Sequence, residues 1–212
     1  MNTLSSPQWM TPVVLALCLA ACTPPPPLAI DPIQVNAKDP SQRIPGRYVA
    51  FVNSAPSSIS GNFHGCPFYT TPAALIAVYG PALQAALINN FEQVDFPSTP
   101  LSPAQIAASG YRAGFVFTVM QSHNAPPRPG IIPQLVYAGS MVLLDAAGSH
   151  PAVPVSGSAP LGAAVQANCG DVQQIIAQAT RGALTDLIQQ DLNAARNAIR
   201  PPPRPGVARP AF

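Results

Sequence analysis

The sequence predicts an α+β domain: a small mixed or antiparallel sheet of about four to five strands, with two main helices packed on one face. Three observations carry this. Short runs rich in aromatic and β-branched residues, bounded by turn residues, read as strands ("RYVAFVNS", "AGFVFTVMQ", "QLVYAGSMVLLDA"). A long stretch from Asp171 repeats apolar residues at helical spacing. Hydrophobic residues make up 48% of the 212-residue chain, enough to bury a core.

The elements follow in order. "RYVAFVNS", from Arg47, is the first strand. "APSSISGNFHGCPFYTT" is read as a long turn-rich loop carrying Cys66. Pro72 can open a short helix that Gly80-Pro81 interrupts. Pro81 then serves as the first residue of a new helix, "PALQAALINNFEQ", whose Leu83, Leu87, Ile88 and Phe91 share a face. Phe91, Val94 and Phe96 lead into a second strand, ended by Pro97.

Ser102 before Pro103 has the form of a helix cap with proline at the first helical position, opening a brief helix to about Ser109. "AGFVFTVMQ" is apolar on both faces and is therefore a central strand. A Pro-rich loop over residues 122–133 separates it from the long strand "QLVYAGSMVLLDA". Asp145 and Gly148 supply a turn, and "AVPVSG" returns antiparallel, with Pro154 marking an edge.

The last helix presents a stripe of Val172, Ile175, Ala179, Ala183 and Leu187, widened by Ile176, Leu184 and Ile188. So wide an arc is either buried wholly within one chain or turns its Leu184 side to a partner.

The ends of the chain differ from the middle. Residues 13–21 form an apolar run too short for a membrane span of about 20 residues and of the length of a signal-peptide apolar region. It ends in Leu19-Ala20-Ala21-Cys22. This stretch resembles the lipobox of bacterial lipoproteins, in which a diacylglycerol is joined to the cysteine sulfur and a peptidase cuts before it. That peptidase needs a small preceding residue. Ala21 meets the requirement before Cys22, whereas Leu17 is too bulky before Cys18. The resemblance implies a lipidated Cys22, with lipid of the outer membrane as its partner and the domain facing the periplasm.

One feature departs from the pattern, since residues 1–11 carry no Lys or Arg. The organisation expected is a signal peptide at 1–21, a lipidated Pro-rich tether at 22–45, one domain at 46–199 and a Pro/Arg-rich tail at 200–212. Four consecutive prolines, Pro24 to Pro27, favour an extended tether that holds the domain off the lipid surface.

A second resemblance concerns the domain. "PALQAALINNFEQVDF", then a central strand, then "SMVLLDAAGSHPAVPVSG" with its Asp145-x-x-Gly148 turn, then a C-terminal helix, is similar to ABC-type transport auxiliary and curli-secretion lipoproteins. That resemblance implies a non-enzymatic component of an envelope transport or assembly complex, with protein partners and possible self-association.

Charged residues are only 8% of the chain and the net charge is +2, so no basic field for nucleic acid emerges. With Cys18 removed and Cys22 acylated, Cys66 and Cys169 form an even pair in an oxidising compartment and are expected to make a disulfide. Two separate buried thiols are the alternative.

The cluster "NFHGCPF" sets His64 two residues from Cys66, the pairing a thiol nucleophile and its base would need. No third group is evident to orient the histidine, and a disulfide would remove the thiol. His123 and His150 stand alone in loops. Glu92, Asp95, Asp145 and Asp171 do not pair at a telling spacing, and Arg112 reads as a strand-end charge in solvent. No cofactor or metal is expected, since no zinc, phosphate-loop or dinucleotide motif is present. The expectation is a non-enzyme. The alternative is a small-ligand or envelope-polymer binder that uses residues 122–133 beside Tyr137, with a thiol enzyme at Cys66 ranked behind it.

Overall fold

A computed structural model describes the backbone of residues 28–35, 39–54, 57–63, 66–73, 75–119, 123–124, 134–162 and 169–199. Within these ranges it describes the side chains except at 54–74, 123–124 and 169–170. After a 3₁₀ turn at Pro40–Gln42 come β1 (Ile44–Ser54), β2 (Ser57–Phe63), β3 (Cys66–Ala73), α1 (Leu75–Asn90) and β4 (Phe91–Asp95). Then follow α2 (Pro103–Ala108), β5 (Ala113–Val119), β6 (His123–Asn124), β7 (Gln134–Asp145), β8 (Gly148–Ser149), β9 (Val153–Pro160) and α3 (Cys169–Ala198).

β1 runs parallel to β4 and β5, while β5 with β7 and β7 with β9 are antiparallel. Both β5 and β9 pair with Gly139, Ser140 and Met141 of β7, so they flank it on opposite sides. The two-residue strands extend these flanks: β6 continues the β5 side and β8 the β9 side. The main sheet is thus mixed, in the spatial order β4-β1-β5-β7-β9, and the fold is α+β as the sequence predicts.

Alternation along the strands builds the core. Tyr48 and Ala50 of β1, Phe115 and Phe117 of β5, and Leu135, Tyr137 and Met141 of β7 all turn to one face and are buried. Phe91 meets Tyr48 edge-on at 4.9 Å and Phe115 at 5.5 Å, which joins β4, β1 and β5 through one aromatic row. Helices α1 and α3 cover this face. The short α2 covers part of the other. It begins with a capping box, in which Ser102 and Gln105 satisfy each other's backbone N–H, and it buries Ile106 against Val49 and Gly114.

Three expectations are corrected. The segment carrying Cys66 is not a loop: β2 and β3 form an antiparallel hairpin, with Phe63 opposite Cys66. The β-branched and aromatic content of "ISGNF" and "FYTT" outweighs its serines and glycines, and a two-residue His64-Gly65 connection suits a tight hairpin.

Gly80-Pro81 does not divide two helices, because α1 runs through Pro81 without a break. An interior proline costs about 3 kcal/mol. Burial of Leu75, Tyr79, Leu83 and Leu87 on one continuous face offsets it, at about 1.5–3 kcal/mol per large side chain.

Part of the expected tether belongs to the domain. Leu28 is 6% exposed within the core, and Ile30, Ile33 and Val35 pack against it. Residues 28–35 therefore form a strap laid on the domain, because every second or third side chain in them is a branched apolar one.

Of the two readings left open for the α3 arc, burial within the monomer is the one the structure bears out. Leu184 and Leu187 are both 0% exposed, so the Leu184 side does not face a partner. Helix and sheet approach so closely that a Cβ at Gly157 would lie 2.1 Å from the Ala183 carbonyl oxygen and 2.2 Å from the Leu187 nitrogen. Only glycine allows that contact.

The β9 edge is blunted against further pairing. Ladder donors alternate along a strand, and the prolines at 154 and 160 mark the alternation that turns away from β7. Neither has an N–H to offer, and the outward N–H of Ser158 donates to Asp186 Oδ2 of α3 at 3.0 Å.

Candidate functional site

Three groups of described polar residues stand out, two of them at opposite ends of the sheet. The first lies where β1 and β5 begin and β7 ends, since Tyr48 is level with Ala113 and Gly114 with Leu144. There the Arg47 guanidinium donates to Asp95 Oδ2 at 3.1 Å and sits 4.8 Å from the centre of the Tyr111 ring. The Tyr111 hydroxyl donates to the same carboxylate oxygen at 2.7 Å. That hydrogen bond holds the Asp95 carboxyl below its ordinary range and raises the Tyr111 phenol.

Beside this group the β1–β4 register shifts between Ile44 and Arg47, and Gly46 takes φ of 120°, a conformation that favours glycine. Glu92 Oε2 accepts the Gly46 N–H at 2.8 Å, and Tyr48 and Arg112 both donate to the Pro45 carbonyl, at 3.0 and 3.2 Å. Arg112 is thus a brace for an irregular strand and not a free strand-end charge. At the same end, Asp145 Oδ1 accepts from the backbone of Ala147 and Gly148, while its Oδ2 meets His150 Nε2 at 2.7 Å. His150, expected to stand alone, is paired across its own turn. That contact holds the Asp145 carboxyl below its ordinary range. These groups fix bulges and turns.

The second place is the outer face of α3 beneath the strap. Ala29 and Asp31 share a groove of about 560 Å³ with Gln173, Gln174, Gln178 and Arg181. A second groove of about 430 Å³ continues it, between Ile33 and Gln34 on the strap and Gln178, Arg181, Gly182 and Thr185 on the helix. The lining mixes neutral amides with small and apolar residues and carries one base and one acid. This surface was not legible from the sequence, because it exists only once the strap lies on the helix.

A third polar feature is internal. Tyr79 of α1 and Asp191 of α3 are each 1% exposed, and the phenol donates to Asp191 Oδ2 at 2.5 Å. Asp191 Oδ1 is buried with no partner among the described residues.

The anticipated site residues fare unevenly. Cys22 and residues 125–133 lie outside the described residues. Cys66 sits at the start of β3 and Cys169 at the start of α3, and β3 lies against α3, but both thiols lie outside the described side chains. His64 is likewise outside them, so the thiol–imidazole pairing has no described geometry, and of His123 only the backbone, in β6, is described. Tyr137 does not offer a binding surface beside residues 122–133. It is fully buried, with its hydroxyl 3.5 Å from Thr180 Oγ1, because position 137 falls on the core face of β7. Among the described residues, no three of His, Cys, Asp and Glu are grouped to hold a metal, and no helix is long and apolar enough to cross a membrane.

No protein-family model and no curated protein matches the chain. Among solved structures it is similar to a hypothetical protein of Chlamydia trachomatis, at 10% identity and TM-score 0.46 over 72% of this chain and 96% of that one. It is also similar to a protein of Xanthomonas campestris, at 10% identity and TM-score 0.44 over 80% of this chain and 99% of that one. A minor lipoprotein of Acinetobacter baumannii matches at 13% identity and TM-score 0.38, over 71% of this chain and 93% of that one. At these TM-scores the likenesses carry no argument about family or activity.

Proposed function

We propose that this chain is a lipid-anchored subunit of a cell-envelope transport or assembly complex, acting by contact and not by chemistry. The observation that carries the reading is Leu19-Ala20-Ala21-Cys22 at the end of a short apolar run, followed at once by prolines. A small residue before cysteine is what lipoprotein processing requires. Thr23 after it is not the Asp that, in this lipoprotein class, typically signals retention at the inner membrane, which favours the outer membrane with the domain in the periplasm.

The contact role is supported by what the described polar groups do. Arg47, Glu92, Asp95, Tyr111, Arg112 and His150 all hold strand ends and turns, so the chain invests its few charged residues in shape. The same compartment would oxidise Cys66 and Cys169, joining the hairpin to the start of α3.

The anchor is tested by metabolic palmitate labelling of wild type and Cys22→Ser. Three acyl chains should hold the protein on membranes, since one myristoyl chain already binds at about 10⁴ M⁻¹. The variant is expected to lose the label and to be released or left unprocessed; a label that persists overturns the assignment. In-cell crosslinking with mass spectrometry tests the rest. Recovery of defined envelope proteins supports the subunit reading, and a monomer with no partners ends it.

A further inference from the structure

We infer that the domain rests on the lipid surface by one defined face, formed by the strap and the N-terminal half of α3, with the turn at residues 145–148 pointing away from the membrane. The inference rests on the lipidation of Cys22 proposed above.

The strap has a direction. Its Ala29 and Asp31 lie beside Gln173, Gln174 and Gln178, and its Ile33 and Gln34 beside Gly182 and Thr185. It therefore runs along α3 in the same sense as the helix and enters at the helix's N-terminal half. Leu28, the first described residue, is buried in the core and so fastened to the domain.

The helix also has a direction on the sheet. Gly182 lies against Ala159, while Leu187 lies against Gly157 and Gly139. Hence α3 runs antiparallel to β9, and its N-terminal half stands at the end where β7 begins and β9 finishes. The turn at 145–148 is at the opposite end, eleven residues along β7, or about 36 Å at about 3.3 Å per residue.

These lengths decide the orientation. Cys22 precedes Leu28 by six residues, which span no more than about 22 Å even when fully extended. A leash of that length, attached at one end of a sheet longer than itself, cannot let the domain turn over and present its far end to the bilayer.

The chemistry of the face suits a headgroup layer and not the hydrocarbon. Gln173, Gln174 and Gln178 offer amides to hydrated headgroups, and the charges present (Arg181 against Asp31 and Asp171) are too few to attract or repel strongly. Among the described residues, the large apolar side chains that are exposed, Ile76, Ile88 and Val153, line neither groove. The face rests on the surface: with residues 28–35 part of the domain, the leash is too short to hold it off the lipid as the full tether expected at 22–45 would.

The test uses the full acylated chain in vesicles of phosphatidylethanolamine and phosphatidylglycerol, with a photo-crosslinking amino acid at Gln174 or at Ala147. Both positions are exposed. Lipid adducts are counted by mass spectrometry after vesicle flotation. Several-fold more adduct at 174 than at 147 is expected. A ten-residue Gly/Ser insertion before Leu28, about 36 Å of added contour, should narrow the difference. Protein that floats but gives equal adducts at both positions, or more at 147, overturns the orientation alone. Protein that carries no acyl chains and does not float overturns the anchor, and this inference with it.

Discussion

The Tyr79 hydroxyl donates a 2.5 Å hydrogen bond to Asp191 Oδ2 across the packed faces of α1 and α3. Both side chains are fully enclosed, and burial raises the Asp191 carboxyl to about 7 despite the phenol's hydrogen bond, which acts the other way. The neighbouring carboxylate and the same burial push the Tyr79 phenol well above its ordinary value, so the phenol remains the donor. A carboxyl that keeps its proton can tolerate a site with one oxygen unpartnered; a carboxylate there is costly.

Stability should accordingly fall as pH rises from about 4 to about 7. Below pH 4 Asp191 is protonated in both folded and unfolded chains and contributes no difference. Above it the unfolded chain ionises first and is favoured, until the folded carboxyl also ionises near 7. A difference of about three units in acidity corresponds to about 4 kcal/mol across that window. Urea unfolding of wild type and Asp191→Asn at several pH values isolates it, since the amide cannot titrate. Asp95 and Asp145 have lowered values, so they act in the opposite sense and only as pH falls towards and below about 4. Parallel pH profiles for the two proteins would remove Asp191 as the cause.

Leu187→Ala should destabilise the domain by about 2–5 kcal/mol, because its side chain is fully buried between α3 and the sheet. Leu184→Asp should prevent folding, since it places an unpaired carboxylate at a position of 0% exposure. Circular dichroism and light scattering of the lipid-free domain distinguish the outcomes. A folded Leu184→Asp protein with altered oligomeric state would restore the partner-facing reading of that side.

Gly157→Ala should be disruptive for so small a change. Its Cβ would fall 2.7 Å or less from three backbone atoms of Ala183 and Leu187, so helix and strand would have to separate. Overpacking of this kind costs about 1–3 kcal/mol and more where backbone must move. Chemical denaturation checks it, with Gly157→Val expected to be worse than Gly157→Ala.

Joining Cys66 to Cys169 would close a loop of about 100 residues, a constraint of up to about 4.7 kcal/mol on the chain-entropy view. Cys66→Ala and Cys169→Ala should each lower stability similarly, and the double variant should cost little more than either. Free thiols at both positions in protein taken from the periplasm, detected by alkylation, would contradict the bridge.

Much of the fold was legible because its strongest elements have clean periodicity. The apolar run at 113–121 placed β5 centrally, the long alternating run at 134–146 gave β7, and the Ser102-Pro103 signal located α2. What failed were places where tertiary burial overrides local signals. Pro81 reads as a boundary until the face that continues past it is seen to be buried. Ser and Gly in the 57–73 region mask a hairpin, and the prolines before Leu28 hide a segment that belongs to the core. The contacts of His150 and Arg112 were missed for another reason. Each depends on a backbone bend or turn that brings a distant or reversed neighbour within reach, which residue type alone does not encode.

The blunted β9 edge makes one margin of the main sheet a poor place to build on. With Pro154 and Pro160 lacking donors and Ser158 already committed to Asp186, β9 offers an added strand few of the donors it would need. Growth by sheet extension is thereby hindered at one margin of the sheet, by three residues of one short strand.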